Sequence, residues 1–179
     1  MDKNDPRPTR LSASPRRARV LGPKDGDITG IPDIVHDRFM IYGHETGSSF
    51  ALVEHLLPAR MLAAPLHRHS REDEYSYVLR GRVGALLGEE EVYGETGDLI
   101  FKPRDQWHTF WNAGDEPARI LEIISPGGFE VAFRQMDALG DGLNPDTMAE
   151  IASRYGVEVD FEGTAPIMER HGLVFWADS

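Results

Sequence analysis

The sequence predicts an all-β protein, an antiparallel sandwich or barrel, on three observations. From residue 39 to residue 133, short runs rich in β-branched and aromatic side chains succeed one another. Gly, Pro or the tetrapeptide Asn112-Ala113-Gly114-Asp115 punctuates most of the junctions. No helical periodicity intervenes, which disfavours the alternating strands and helices of a parallel sheet.

Taken in order, residues 50–57 (Phe-Ala-Leu-Val-Glu-His-Leu-Leu) suit a largely buried strand, and 74–79 are aromatic and β-branched. Further strands are expected at 82–87, 90–93, 98–102, 108–112, 118–124 and 129–133. After about residue 140 the pattern changes. Asn144 can cap, Pro145 suits a first helical position, and Met148, Ile151, Ala152 and Tyr155 recur at i, i+3, i+4 and i+7 before Gly156. A second short helix is expected at 165–171, ended by Gly172. The expected organisation is a basic arm (1–20), a β-barrel (21–138) and a helical C-terminal extension (139–179), with no internal repeat.

The chain has 179 residues, enough to bury a core without covalent staples, and a net charge of −11. Residues 1–20 carry six basic side chains against Asp2 and Asp5, a net +4 that leaves −15 on the remainder. A body this acidic repels phosphate backbones, so nucleic acid is excluded as an expected partner; the arm reads as an extended, solvated tail. There is no cysteine, which excludes disulfides, thiolate metal sites and a cysteine nucleophile. Any metal must be held by His, Asp or Glu. Apolar runs such as 118–124 are interrupted and too short to span a bilayer. Arg16 and Arg17 are followed, after Val20 and Leu21, by Gly22-Pro23-Lys24-Asp25 rather than an apolar signal core. A cytoplasmic protein without membrane contact is expected.

The stretch that carries chemistry is His67-Arg68-His69-Ser70-Arg71-Glu72-Asp73-Glu74. On a strand His67 and His69 share a face, which makes half of a nitrogen site for a transition metal. Glu74 has the opposite parity and joins them only if residues 70–73 turn or bulge. Downstream stand Gly81, Gly97, Pro103, His108 and Asn112.

Together, His67-x-His69-x4-Glu74-x6-Gly81 and, fifteen residues on, Gly97-x5-Pro103-x4-His108-x3-Asn112 resemble the paired motifs of the cupin superfamily. The resemblance covers residues 50–125. It implies a double-stranded β-helix, the cupin jelly-roll barrel, with His67, His69, Glu74 and His108 holding one divalent transition metal (Fe, Mn, Ni, Co, Cu or Zn) in the barrel mouth. Magnesium and calcium, which prefer oxygen shells, fit such a nitrogen-rich set poorly. Gly81 and Gly97 would be turn residues, Pro103 would shape the approach to His108, and Asn112 would be structural. Two positions depart from the family pattern: Met61 and Asp105 stand where glycine is usual. Asp105 puts the backbone geometry of the turn before His108 in question.

The single-domain layout is similar to the quercetin-dioxygenase-like, RmlC-like branch of the cupins. That implies a dioxygenase acting on a small enolisable or aromatic molecule, with Glu74 also serving as the catalytic base, and a homodimer. An oxygen-independent isomerase or lyase, and a non-catalytic metal- or ligand-binding cupin, are the alternatives the fold leaves open.

Strand parity adds Ser76 and Phe110 as expected substrate contacts, since they share faces with Glu74 and His108. Glu72 is the rival carboxylate to Glu74, which alone keeps the seven-residue step to Gly81. His36, His44, His55 and His171 read as surface or core histidines. Trp107 and Trp111 are expected on the outer sheet face, and Glu89-Glu90-Glu91 as a solvated hairpin.

Overall fold

The computed structural model describes residues 18–31 and 35–175. All but the last three residues of the expected basic arm lie outside the described residues. Eleven strands are described: β1 (Asp27–Ile31), β2 (Val35–Ile41), β3 (Ala51–Leu57), β4 (Leu66–His69), β5 (Asp73–Arg80), β6 (Arg82–Leu87), β7 (Glu90–Glu95), β8 (Leu99–Lys102), β9 (His108–Asn112), β10 (Ala118–Ser125) and β11 (Val157–Asp160). The helices are α1 (Glu130–Asp137), α2 (Pro145–Arg154) and α3 (Phe161–His171). One antiparallel sheet runs β1-β2-β3-β10-β5-β8 and the other β11-β4-β9-β6-β7. From β3 to β6 and again from β7 to β11 successive strands alternate between the two sheets, as in a double-stranded β-helix.

Alternation on the strands supplies the core between the sheets. On β10 every second residue is buried, and Ala118 and Ile120 pack with Leu57, Val78, Val83 and Phe110. Gly81 and Gly97 both take the left-handed backbone expected of turn residues, with φ of 88° and 100°. Asp105 adopts the same region, φ 63°, and its N–H donates to the His69 carbonyl at 2.7 Å. The turn geometry before His108 is therefore kept without the usual glycine, aspartate being among the side chains that tolerate this conformation. Asn112 is structural: its amide donates to the carbonyls of Leu57, Pro58 and Glu116, and its Oδ1 accepts from Gly114 N–H.

The strand expected at 129–133 is instead the start of helix α1. Phe129, Ala132, Phe133 and Met136 follow a helical stripe, and all four pack in one cluster with Phe39, Val53 and Ile124. Buried Glu130 fixes the entry, accepting from Gly43 N–H at 2.8 Å and Gly128 N–H at 2.6 Å. Helix α2 begins as expected: Asn144 caps Thr147 N–H at 3.0 Å and Pro145 follows. Helix α3 starts earlier than 165, because Asp160 caps Gly163 N–H at 2.8 Å; it ends at Gly172. Between them β11, absent from the sequence reading, pairs with β4, setting Val157 opposite His69 and Val159 opposite His67.

Helix α3 covers the outer face of the five-stranded sheet, while α2 sends Met148 into that layer and Ile151 and Ala152 into the cluster around Phe39 and Phe129. Trp111 is 1% exposed there among Leu62, Met148, Ile167 and Leu173, and stacks on His171 with centroids 4.6 Å apart. Glu91 is no merely solvated hairpin residue: it pairs with Arg170 at 2.5 Å and His171 at 3.2 Å, pinning the end of α3. A Cβ added at Gly84 would overlap the Trp111 indole, which His171 holds from the other side. Gly84→Ala should lower stability by about 1–3 kcal/mol, measured by urea unfolding monitored through tryptophan fluorescence.

Candidate metal centre

Residues 70 and 71 bend between β4 and β5, carrying the chain from the five-stranded sheet to the six-stranded one. Glu74 therefore meets His67 and His69 from the opposite sheet, which resolves the parity conflict. His108 opens β9, directly opposite His67. Side-chain donor atoms of His67, His69, Glu74 and His108 lie within 4.8 Å of one another, and all four residues are buried.

Each imidazole is held by the nitrogen facing away from the cluster. His67 Nδ1 lies 2.7 Å from the Pro65 carbonyl and His108 Nδ1 3.1 Å from the Gln106 carbonyl. His69 Nδ1 is 3.2 Å from Glu72 Oε2. Glu72 thus orients a histidine, the arrangement that fixes the tautomer of a metal-binding imidazole. Facing the centre, His108 Nε2 is 3.3 Å from Glu74 Oε2 and His69 Nε2 is 3.4 Å from Glu74 Oε1. His69 Nε2 is buried without a hydrogen-bond partner. Donors about 2.0–2.2 Å from a shared ion sit roughly 3–4.4 Å apart, so an orphaned nitrogen in this cluster is where a cation fits. Three imidazoles and one carboxylate suit a divalent transition metal.

The electrostatics favour ligation. Burial, then the neighbouring His108 and His69, hold the His67 pKa well below its usual 6.5, so its ring is neutral. Burial pushes the Glu74 carboxyl up, but Lys102 and then His69 and His108 outweigh it and keep the group ionised. Lys102 is itself 1% exposed, with Nζ 3.0 Å from both Glu74 Oε2 and Glu122 Oε2 and 3.9 Å from the Phe110 ring centre. Burial lowers its pKa; the two carboxylates more than reverse that.

A cavity of about 890 Å³ opens on the cluster, lined by His67, Glu74, Phe110, Phe129, Phe133 and Glu122 among others. Phe110 takes the expected position in its wall. Ser76 does not: it is fully buried, is not among the lining residues, and donates to Glu122 Oε2 at 2.7 Å. Sequence reasoning passed over Lys102 and Glu122. Their signal was a charge at an inward position of an apolar strand, as in Ile120-Leu121-Glu122-Ile123-Ile124. His55 also lines the cavity, with Nδ1 2.6 Å from Asp37 Oδ1.

The family model described as "Cupin domain" matches residues 53–124. A tetracenomycin polyketide synthase protein of Streptomyces glaucescens is 29% identical over 50% of this chain and 60% of its own length. The chain thus spans somewhat over half the length of that curated relative. An uncharacterised protein of Methanocaldococcus jannaschii is 33% identical over 55% of this chain and 72% of its own. Among solved structures, an RmlC-like cupin from Shewanella frigidimarina superposes with a TM-score of 0.53 at 14% identity, covering 65% of this chain and 98% of that one. Fold, motif spacing and these likenesses agree: the chain belongs to the cupin superfamily.

Proposed function

We propose that the chain is a metal-dependent cupin enzyme of the quercetin-dioxygenase-like kind, acting on a small enolisable or aromatic molecule. The observation that carries this reading is an orphaned His69 Nε2 within a buried three-histidine, one-carboxylate cluster at the wall of a large cavity. His67, His69, Glu74 and His108 would hold the metal, which supplies Lewis-acid stabilisation of a developing oxyanion and a meeting point for substrate and oxygen. The residues divide the remaining work. Glu72 fixes the His69 ring. Lys102 keeps Glu74 ionised, able to accept a proton from an acidic enol though only weakly basic. Phe110, Phe129 and Phe133 give the ligand an aromatic surface that excludes water. Similarity to a polyketide synthase protein supports the substrate class, since polyketides are rich in enolisable carbonyls.

One observation favours a second reading, a non-catalytic ligand-binding cupin: the Lys102 ammonium already satisfies Glu74 Oε2 without a metal. Metal content separates the two. Elemental analysis of protein purified without added metal should find about one transition metal per chain, lost in His67→Ala and His108→Ala. Glu72→Gln should weaken metal binding about 10–100-fold. With flavonols and small enolisable ketones in an oxygen electrode, Glu74→Gln should lose oxygen uptake while keeping much of the metal. Unchanged turnover in that variant removes the base role, and a metal-free wild type removes the enzyme reading.

The outer face of β5 and β8 supports a homodimer as part of this proposal. Tyr77, Leu79, Leu99 and Phe101 are 39–55% exposed side by side, and Tyr75 stacks on Phe101 at 5.0 Å. On a chain of net charge −11, an uncharged apolar sheet face is where two copies meet with least repulsion. Light scattering should give twice the chain mass for the wild type and a shift to monomer for a Leu99→Glu/Phe101→Glu variant.

A further inference from the structure

Beyond the metal cluster, the cavity wall holds a second set of polar groups. Thr29, Asp37, His55, Glu122 and Asp137 all line it, from β1, β2, β3, β10 and the end of α1. Asp37 and His55 are cross-strand partners, as are Glu122 and Ser76, so the group runs across the inner face of the six-stranded sheet. Glu122 Oε1 is buried with no hydrogen-bond partner, while Thr29 stands beside the Asp137 carboxyl and lowers its pKa as a hydrogen-bond donor does. A buried acceptor left unpaired costs the desolvation of that group, so the open Glu122 oxygen in this wall calls for a ligand or ordered water.

A donor lines the same wall. Asp37 holds His55 Nδ1 at 2.6 Å, which leaves Nε2 as the ring nitrogen available to a ligand. Burial lowers the His55 pKa, but Asp37, followed by Glu122, more than offsets it and leaves the value raised, which favours a ring carrying both protons. Asp137 is shifted up by burial and by Asp37, and is held down by Thr29 and His55, so it belongs to the same cluster. A donor and an open acceptor in one wall are the complement of a hydroxyl group, which donates one proton and accepts through its lone pairs. A bare carboxylate or phosphate would meet Glu122 and Asp137 with like charge. A cation would find no set of converging ligands, since the metal-type cluster among the described residues is the His67 group alone.

We propose that His55 and Glu122, diagonal neighbours on β3 and β10, form a second subsite that binds a hydroxyl group of the cavity ligand. His55 Nε2 donates to the ligand oxygen, and the ligand's hydroxyl donates its proton to Glu122 Oε1. Asp37 is a positioning residue that orients the imidazole. The proposal deepens the enzyme reading, since both sites face one cavity, yet it stands on different residues. The ligand it describes has an aromatic body, suited to Phe110, Phe129 and Phe133, with a hydroxyl placed away from the metal end.

The test compares 2-naphthol with naphthalene as probes, using fluorescence titration of the full chain. Wild type should bind 2-naphthol about tenfold or more tighter, as expected for a hydrogen bond to charged groups. His55→Phe should cut that preference at least fivefold. Glu122→Gln should also reduce it, which keeps the test alive if His55→Phe fails to fold. His67→Ala should leave it in place. A wild type with no preference overturns the proposal, as does a preference that survives in His55→Phe and Glu122→Gln. Loss of preference in His67→Ala alone also overturns it, because the hydroxyl then sits at the metal cluster. A metal-free protein whose preference still depends on His55 would sink the enzyme reading and leave the subsite standing.

Discussion

The Lys102 ammonium, enclosed between Glu74 and Glu122, is the interaction on which the interior of the barrel depends. Two carboxylates face the same space between the sheets, and burying an unpaired ion costs several kcal/mol even after relaxation. Lys102 reaches both at 3.0 Å, with its charge also over the face of Phe110 at 3.9 Å. It joins the metal-type cluster, through Glu74, to the second polar set, through Glu122. Ser76, one of the expected substrate contacts, completes this support instead, giving its hydroxyl proton to Glu122.

Backbone geometry does the rest of the positioning. The four clustered side chains come from β4, β5 and β9, and only a change of sheet at residues 70 and 71 turns Glu74 toward the imidazoles. The Asp105 turn serves the same end at the other edge. Its N–H on the His69 carbonyl ties the approach of β9 to the end of β4, three residues before His108. Strand β11 locks the opposite side of β4 in register with His67 and His69. The C-terminal segment is thereby part of the wall behind two of the imidazoles, rather than a helical appendage.

What could be read in the chain divides along the range of the forces involved. The barrel was legible because short alternating runs and turn residues are local signals, and so was α2, whose Asn144 cap and Pro145 are sequence-adjacent. The convergence of His67, His69, Glu74 and His108 came from motif spacing, which encodes a fold-level arrangement that no single strand reveals. Helix α1 was misread because Phe129-Glu130-Val131-Ala132-Phe133 alternates as a strand would. Only the packing of Phe129, Phe133 and Met136 against Phe39 and Ile124 selects the helix. Strand β11 is four residues between two helices, too short to carry a period. Glu72 was weighed as a rival ligand, when its proximity to His69 instead makes it a support for that ring. His55 looked like an ordinary core histidine, because its meaning depends on Asp37, eighteen residues away on the neighbouring strand.

Polar groups that both sheets turn inward border the cavity. The five-stranded sheet sets His67, His69 and His108 inward beside Val83, Ala85 and Phe110, and the six-stranded sheet sets Asp37, His55, Glu122, Ser76, Lys102 and Glu74 among its inward positions. Apolar residues of similar volume at those positions would let the sheets close on each other and would commonly match or exceed the stability of buried ion pairs. Charges that are individually satisfied on one side, and left with open lone pairs on the other, cannot be packed over without further desolvation. The space of about 890 Å³ is bordered by these groups, and filling it with apolar side chains would strip them of their remaining hydrogen-bond partners.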